Sequence, residues 1–276
     1  MRYRLLALDV DGTLVGRSNR VSPRTREVLR AAQAGGVDLV LATGRAGDGA
    51  AAVVEDLRLA EPVGLALCNG AVLADSTEHA PFGHAMLDVA TARDVVRAAR
   101  AAGATPFVYQ DPLRGQTIAA DLPRRPLPSF VDLDVHDVWY GDVLEWLHEP
   151  PLVVVVAGPE AALLPWAERW RAEYVDRATV AGAPYHADDL WILTFVHPSA
   201  DKGAAVAAFA TRRGVPLSDV MAVGDADNDV AMLAEVGWGV AMGDASPAAL
   251  AVADAVTGTV DDDGLAAAVE RWVLNP

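Results

Sequence analysis

Cysteine and basic residues are both scarce in this chain. Cys68 is the only cysteine among 276 residues, so an intramolecular disulfide is impossible and a reducing cytosol is a fitting compartment. Lysine and arginine total 22 against 38 aspartates and glutamates, which gives a formal net charge of -16. Because a surface this acidic repels nucleic acid and anionic membranes, we expect neither as a partner.

Long apolar runs are also missing, and no stretch approaches the length of a membrane span. The apolar stretch near the N-terminus is too short for a secretory signal and continues into acidic residues. With 52% hydrophobic and 22% charged residues, the composition is typical of a globular protein with a substantial core. We expect a soluble, cytoplasmic protein that is a monomer or a small homo-oligomer.

Both ends of the chain show the alternation of strands and helices that is typical of α/β proteins. Short apolar runs, separated by helical stretches, lie at 3–10, 37–42, 63–68 and 220–223. Ser22 and Pro23 predict the start of the first helix, and the Gly35-Gly36 pair predicts its end. Strand, helix and strand in this order predict a doubly wound parallel sheet.

The composition changes in the middle of the chain, over residues 81–189. This stretch is richer in proline and tryptophan, with a loop-like run at 110–129 and an apolar strand candidate at 152–157. It predicts an α+β module inserted into the α/β core. We therefore expect a core domain of residues 1–80 and 190–276 and an inserted domain of residues 81–189.

Polar side chains collect where the predicted strands end. The clusters are Asp9-Val10-Asp11-Gly12-Thr13, Thr43-Gly44-Arg45, Asn69-Gly70 and Gly224-Asp225-Ala226-Asp227-Asn228-Asp229. In open parallel sheets, ligands bind beyond the carboxyl ends of the strands, so we expect these clusters to share one crevice. Helix caps and turns use the same residue types, but they do not account for four clusters at one sheet edge.

The aspartates of these clusters predict a magnesium site. Asp9 and Asp11 are two residues apart, and in a strand such residues project to the same side. Two neighbouring carboxylates repel unless one is protonated or a cation lies between them. Asp225 and Asp229 add further carboxylates from another strand end. Oxygen ligands without histidine or cysteine favour Mg²⁺ over zinc.

In their order along the chain, these motifs resemble those of the haloacid dehalogenase (HAD) superfamily of phosphatases. Residues 9–14 are similar to the first HAD motif, Thr43 to the second, Lys202 to the third and residues 224–229 to the fourth. Asn69-Gly70-Ala71 and the position of the insertion resemble the Cof-type branch, subfamily IIB. The resemblance implies a Rossmann-like, doubly wound parallel-sheet core with an inserted α+β cap of the C2 type.

The resemblance also implies the residues of the reaction. Asp9 would be the nucleophile, and Asp11 would act as general acid and then as general base. The Asp9 carboxylate, the Asp11 backbone carbonyl and the Asp225 carboxylate would hold Mg²⁺, with Asp229 behind them. From these assignments we expect a Mg²⁺-dependent enzyme.

Phosphate binding is implied for four more positions. Lys202 would neutralise the phosphoryl oxygens, while the Thr43 hydroxyl and the Gly44 amide would donate hydrogen bonds to them. Asn228 would contact the phosphate or orient its neighbours. Arg45 is open between a substrate contact and a surface or helix-facing role.

The implied function is hydrolysis of small phosphate monoesters, sugar phosphates or similar metabolites, through an aspartyl-phosphate. Two alternatives stay open, a sugar phosphomutase and a phosphometabolite-binding protein without turnover. The presence of Asp11 argues against the second, because a binding protein does not need a general acid. Asp244 stands where Cof-type proteins usually carry asparagine, so its role is open.

Overall fold

The computed structural model describes residues 2–77, 81–110, 117–121, 128, 131, 137–185 and 188–275. The chain divides into two compact units. We call Met1–Gly83 together with Asp201–Pro276 the core unit, and His84–Ala200 the inserted unit. Among the described helices, none combines the length and the apolar character that crossing a membrane requires.

The described residues form fourteen strands and nine α-helices. The strands are β1 (Leu5–Leu8), β2 (Asp38–Ala42), β3 (Gly64–Leu67), β4 (Val72–Asp75), β5 (Gly83–His84), β6 (Thr105–Tyr109), β7 (Thr117–Asp121), β8 (Asp137–Gly141), β9 (Val153–Gly158), β10 (Thr179–Tyr185), β11 (Leu190–Val196), β12 (Val220–Gly224), β13 (Trp238–Ala241) and β14 (Ala255–Val256). The helices are α1 (Pro23–Ala34), α2 (Gly47–Leu57), α3 (Val89–Ala101), α4 (Val143–Trp146), α5 (Glu160–Glu173), α6 (Lys202–Arg212), α7 (Val230–Glu235), α8 (Pro247–Val252) and α9 (Gly264–Val269).

The core unit is built on an eight-stranded sheet in the order β14-β13-β12-β1-β2-β3-β4-β5. The strands from β14 to β3 are parallel, and β4 runs antiparallel to β3. The order runs outward in both directions from the neighbours β1 and β12, which confirms the predicted doubly wound sheet. This arrangement makes the β1/β12 border the topological switch point, where ligands bind in such sheets.

The central strand of this sheet has the composition that its position requires. All four residues of β1 are fully buried, as expected for a strand covered on both faces. Burying each leucine side chain contributes about 1.5–3 kcal/mol to stability. The core therefore fixes the end of β1, and with it the start of the Asp9 segment.

Side-chain caps set the beginnings of the helices that flank the sheet. The Ser22 hydroxyl accepts a hydrogen bond from the Thr25 backbone N–H and caps α1, as predicted. The Asp201 carboxylate accepts from the Ala204 backbone N–H at 2.9 Å and caps α6. Because the cap directly precedes Lys202, it places this lysine in the first turn of α6.

The inserted unit contains a six-stranded sheet in the order β10-β11-β9-β6-β7-β8. Its pairs are antiparallel except β7 and β8, which are parallel. Its core includes a group of three aromatic rings, in which the Phe195 ring lies 5.7 Å from the Trp170 ring and 5.6 Å from the Tyr174 ring between centroids. Strands and helices together form the α+β arrangement that the sequence predicted.

Two details of the sequence prediction differ from the structure. Residues 190–200 were assigned to the core domain but lie in the inserted unit, because β11 pairs with β9 and β10. Within the predicted loop at 110–129, residues 117–121 form β7, stabilised by pairing with β6 and β8. Positions 111–116, 122–127 and 129 of that run lie outside the described residues.

Candidate active site

The polar clusters predicted from the sequence follow strands at the carboxyl edge of the core sheet. β1 and β12 are parallel neighbours, with Leu8 opposite Val223. The Asp9 backbone N–H donates to the Val223 carbonyl oxygen at 3.0 Å, and Asp225 directly follows β12. Asp9 and Asp225 therefore lie side by side at the switch point of the sheet.

Three carboxylates, of which two are buried, and one buried ammonium group lie together at this edge. Carboxylate oxygens of Asp9, Asp225 and Asp229 lie within 4.8 Å of one another. Lys202 Nζ donates to Oδ1 of Asp9 and to Oδ1 of Asp229, each at 2.6 Å. The side chains of Lys202 and Asp229 are 1% and 0% exposed. We call these four residues the carboxylate–lysine cluster.

Neighbouring loops hold the carboxylates of this cluster in place. Oδ2 of Asp229 accepts hydrogen bonds from the backbone N–H groups of Asp225 and Ala226, both at 3.0 Å. Oδ1 of Asp225 accepts from the Thr13 hydroxyl at 3.1 Å. Gly12 has a φ of 89°, and a Cβ there would lie 2.4 Å from Asp225 Oδ2. Glycine is therefore required at this position, both for the turn and for the close approach of Asp225.

Burial and mutual repulsion act against ionised carboxylates in the cluster. Desolvation, followed by the charge of Asp229, raises the pKa of Asp9 well above its usual range. The same two causes raise the pKa of Asp225 to about 6. Burial alone would lower the pKa of Lys202, but Asp229 and Asp9 outweigh it and raise that pKa. With all four groups ionised, three negative charges face one positive charge, which favours binding of a further cation.

The donor atoms of the cluster fit Mg²⁺. Oδ1 of Asp9 accepts from Lys202, whereas its Oδ2 is buried and accepts no hydrogen bond from the described residues. The cluster of Asp9, Asp225 and Asp229 offers carboxylate oxygens only, and hard divalent cations prefer such ligands.

Asp11 lies outside the carboxylate–lysine cluster. Its two carboxylate oxygens accept from Nη2 and Nε of Arg45 at 2.6 and 2.9 Å, a bidentate pair that fixes both side chains. The Asp11 side chain is 61% exposed, against 6% for Asp9. Because β1 ends at Leu8, strand geometry does not extend to Asp9 and Asp11, and the two carboxylates differ in burial and in partners.

The predicted phosphate-binding residues surround the segment that follows β3. Thr43 is fully buried, and its hydroxyl oxygen accepts from the Arg45 backbone N–H at 3.0 Å. Gly44 is exposed, and a Cβ there would lie 3.4 Å from Oδ1 of Asn69. The same Asn69 oxygen accepts from Asn228 Nδ2 at 2.9 Å. Asn69 therefore links the loop after β2 with the loop after β12.

Sequence reasoning assigned no role to Thr13 and no individual role to Asn69. Both stood in polar clusters at strand ends, so the signal that could have found them was present. The pairing of Arg45 with Asp11 could not be predicted from the sequence, because the two residues lie in different loops. Asp244 is exposed and does not belong to the carboxylate–lysine cluster.

A family comparison covers most of the chain. Residues 6–114 and 174–269 match the haloacid dehalogenase-like hydrolase family. The chain belongs to the haloacid dehalogenase-like hydrolases. This result confirms the family resemblance that the motifs indicated.

Individual relatives of this HAD-like hydrolase match over nearly its whole length. It is 30% identical to phosphatase YwpJ of Bacillus subtilis over 289 residues, which cover 95% of this chain and 97% of that protein. A haloacid dehalogenase-like hydrolase from Bacteroides thetaiotaomicron superposes with a TM-score of 0.79 and 26% identity, covering 98% and 99% of the two chains.

A third relative concerns the subclass. The structure of BT4131, a HAD subclass IIB sugar phosphatase, matches with a TM-score of 0.76 and 21% identity over 98% of each chain. At this identity the likeness shows the fold alone. The family match and the similarity to phosphatase YwpJ together show that this HAD-like hydrolase is a phosphatase.

Proposed function

We propose that this phosphatase hydrolyses small phosphate monoesters, sugar phosphates or similar metabolites, through an aspartyl-phosphate on Asp9, in a Mg²⁺-dependent reaction. The contrast between the two Asp9 oxygens carries the proposal. Oδ1 is held by Lys202 at 2.6 Å, and the buried Oδ2 accepts no hydrogen bond from the described residues. A carboxylate nucleophile needs a fixed orientation and one oxygen that is free to attack.

In the first step, an Asp9 oxygen attacks phosphorus and the bond from phosphorus to the leaving oxygen breaks. The Asp11 carboxyl gives its proton to the leaving alkoxide. Because both Asp11 oxygens accept from Arg45, this pair must open at one oxygen before Asp11 can reach the leaving group. Arg45 therefore positions the Asp11 carboxyl group.

In the second step, water attacks phosphorus, the bond from phosphorus to Asp9 breaks, and Asp11 takes the proton of the water. Lys202 neutralises charge beside Asp9 in both steps, and Thr43, Gly44 and Asn228 bind the phosphoryl oxygens.

Four residues would hold Mg²⁺ in this proposal. Mg²⁺ bound by the carboxylates of Asp9 and Asp225 and the backbone carbonyl of Asp11, with Asp229 behind them, supplies charge neutralisation at the phosphoryl oxygens. The excess negative charge of the cluster and its carboxylate oxygen donors support this assignment.

The test is phosphate release from a panel of phosphomonoesters, with and without Mg²⁺, by the wild type and by Asp9→Asn. We expect Mg²⁺-dependent release from the wild type and a loss of at least about 10³-fold in Asp9→Asn, since removing a catalytic nucleophile has effects of this size or larger. Asp56→Asn is the matched control, because Asp56 is also buried but bonds to Val21 and Arg26 instead. It should stay active.

Other outcomes decide against parts of the proposal. Mg²⁺-dependent release that persists in Asp9→Asn excludes Asp9 as the nucleophile. Conversion of a hexose 1-phosphate to its 6-phosphate without phosphate release would indicate a phosphomutase. A phosphorylated ligand that binds but survives with Mg²⁺ present would indicate a binding protein. Asp11→Asn should carry one phosphoryl group on Asp9, detected by mass spectrometry, after incubation with p-nitrophenyl phosphate, because this leaving group needs no proton from Asp11 while the second step still needs Asp11 as base.

We further propose that the inserted unit is the cap that selects the substrate. The sequence predicted this role for residues 81–189, and the structure bounds the unit at His84–Ala200. Exchanging residues 84–200 for those of a relative should reorder the substrate panel, and an unchanged order would contradict the role. A cytoplasmic location, a monomer or small homo-oligomer and the absence of a nucleic-acid partner stay predictions.

A further inference from the structure

The segment that follows β3 has an unusual backbone. Cys68, Asn69 and Gly70 have consecutive positive φ angles of 48°, 58° and 95°. Residues with a Cβ rarely adopt this left-handed region of the backbone, although asparagine tolerates it better than most. Strain of this kind persists only where the surrounding structure imposes it, and it clusters at functional sites.

The backbone of this segment contacts two of the motif loops. The Cys68 N–H donates to the Arg45 carbonyl oxygen at 2.9 Å, and the Asn69 N–H donates to the Thr43 carbonyl oxygen at 2.8 Å. At Gly70, a Cβ would lie 2.6 Å from the carbonyl oxygen of Asp201, the residue before Lys202. The left-handed backbone therefore fits between the loop after β2 and the start of α6.

The side chain of Asn69 reaches a third motif. It is only 3% exposed, and its Oδ1 accepts from Nδ2 of Asn228 at 2.9 Å. Oδ1 of Asn228 is buried and has no hydrogen-bond partner among the described residues. The contact with Asn69 is therefore the hydrogen bond by which the described structure fixes the Asn228 amide.

We infer that Asn69 is a positioning residue for phosphate binding, which its left-handed backbone allows to bond Thr43 through its N–H and to orient Asn228 through its side chain. The inference rests on the proposed function, because it concerns the residues that bind the phosphoryl group there. Asn69 need not touch the substrate, since it acts through the Asn228 amide. Asparagine suits the position because it combines tolerance of positive φ with a side-chain acceptor.

Asn69→Gly separates the side chain from the backbone conformation, because glycine adopts positive φ without strain. Relief of the backbone strain should offset part of the cost of the lost buried hydrogen bond, so we expect a thermal midpoint close to that of the wild type. For p-nitrophenyl phosphate with Mg²⁺, KM and the inhibition constant of inorganic phosphate should both rise roughly tenfold, the effect of losing one buried hydrogen bond. The rise in KM should exceed the fall in kcat.

Arg58→Gly is the matched control. Arg58 is also a left-handed residue, with φ 51° and ψ 42°, but it ends α2 and takes no part in the site. Its exchange should leave KM, kcat and phosphate inhibition at the wild-type values. If KM rises in Arg58→Gly as it does in Asn69→Gly, both effects come from replacing a left-handed residue with glycine, and the inference is overturned.

A double-mutant cycle tests whether Asn69 acts through Asn228. If it does, Asn69→Gly combined with Asn228→Ala should be no worse than Asn228→Ala alone. Multiplying effects would overturn the inference, as would a wild-type KM in Asn69→Gly, with or without a lower thermal midpoint. A wild type that neither releases nor binds phosphate would overturn the proposed function, and the inference with it.

Discussion

Both units of the molecule have mainly apolar interiors, but the buried charged side chains of the described residues lie in the core unit. In the core unit, Lys202 is fully buried with the carboxylates of Asp9 and Asp229. In the inserted unit, Trp170 and Phe195 are among the largest fully buried side chains. Burial of an ion carries a desolvation penalty of several kcal/mol, whereas aromatic burial is favourable by itself. The core unit thus gives up stability to hold charges that a reaction can use.

The largest expected effect that tests this contrast is that of Lys202→Met. The change removes the only positive charge in the carboxylate–lysine cluster and leaves Asp9 and Asp229 buried without their ion-pair partner. Breaking a buried ion pair on one side costs about 3–5 kcal/mol. Urea unfolding should show a loss of this size in the free energy of unfolding, and turnover should disappear.

Two further variants show whether burial is the cause. Asp229→Asn added to Lys202→Met removes one of the repelling charges, so it should recover part of the lost stability. Arg24→Met breaks a pair with Glu270 in which both side chains are largely exposed, and it should change stability far less. Equal losses in Lys202→Met and Arg24→Met would contradict the contrast between the units.

The inserted unit should respond to loss of volume and ring contacts instead of charge. Phe195→Leu removes ring contacts to Trp170 and Tyr174. Each aromatic pair contributes about 0.5–1.5 kcal/mol beyond burial, so we expect a loss of about 1–3 kcal/mol. The measurement is again urea unfolding, with kcat for p-nitrophenyl phosphate determined well below the unfolding temperature. A lost kcat in a folded variant would show that the chemistry also depends on this core.

The same comparison explains what the sequence could reveal. The position of Asp9 and Asp225 at the edge of the sheet could be predicted from the sequence, because apolar runs indicate the strands and the polar residues that follow indicate where the strands end. The burial of Lys202 was not, because a lysine at a helix start is ordinarily solvated and its partner Asp9 lies 193 positions away. The inserted unit was harder still, since β11 owes its place to pairing with β9 and β10.

The next largest expected effect concerns the Arg45–Asp11 pair in the core unit. Unlike the pairs of Lys202, this ion pair includes an exposed carboxylate, that of Asp11. Arg45→Lys keeps the charge but loses the bidentate geometry. If Asp11 is the general acid, kcat/KM for a sugar phosphate should fall about tenfold more than kcat/KM for p-nitrophenyl phosphate. The reason is that an alkoxide needs a proton to leave, whereas p-nitrophenolate does not.

Arg26→Lys is the matched control for this measurement, because the Arg26 side chain has the same 19% exposure and pairs with Asp56. It should leave the ratio of the two kcat/KM values unchanged. An equal fall for both substrates in Arg45→Lys would assign Arg45 to phosphate binding or folding, and the acid would have to be positioned by another group.

The smallest effect compares two left-handed glycines, one in each unit. Gly103 in the inserted unit has a φ of 72° and no atom within 4 Å of an added Cβ, whereas at Gly70 the Asp201 oxygen lies at 2.6 Å. Gly103→Ala should therefore cost only the strain of a left-handed alanine, about 1 kcal/mol. Gly70→Ala adds a clash with the backbone before Lys202, so it should lower both stability and turnover further. Equal stability losses would mean that the backbone around Lys202 can yield, and that the close approach of Gly70 does not help to set the position of the lysine.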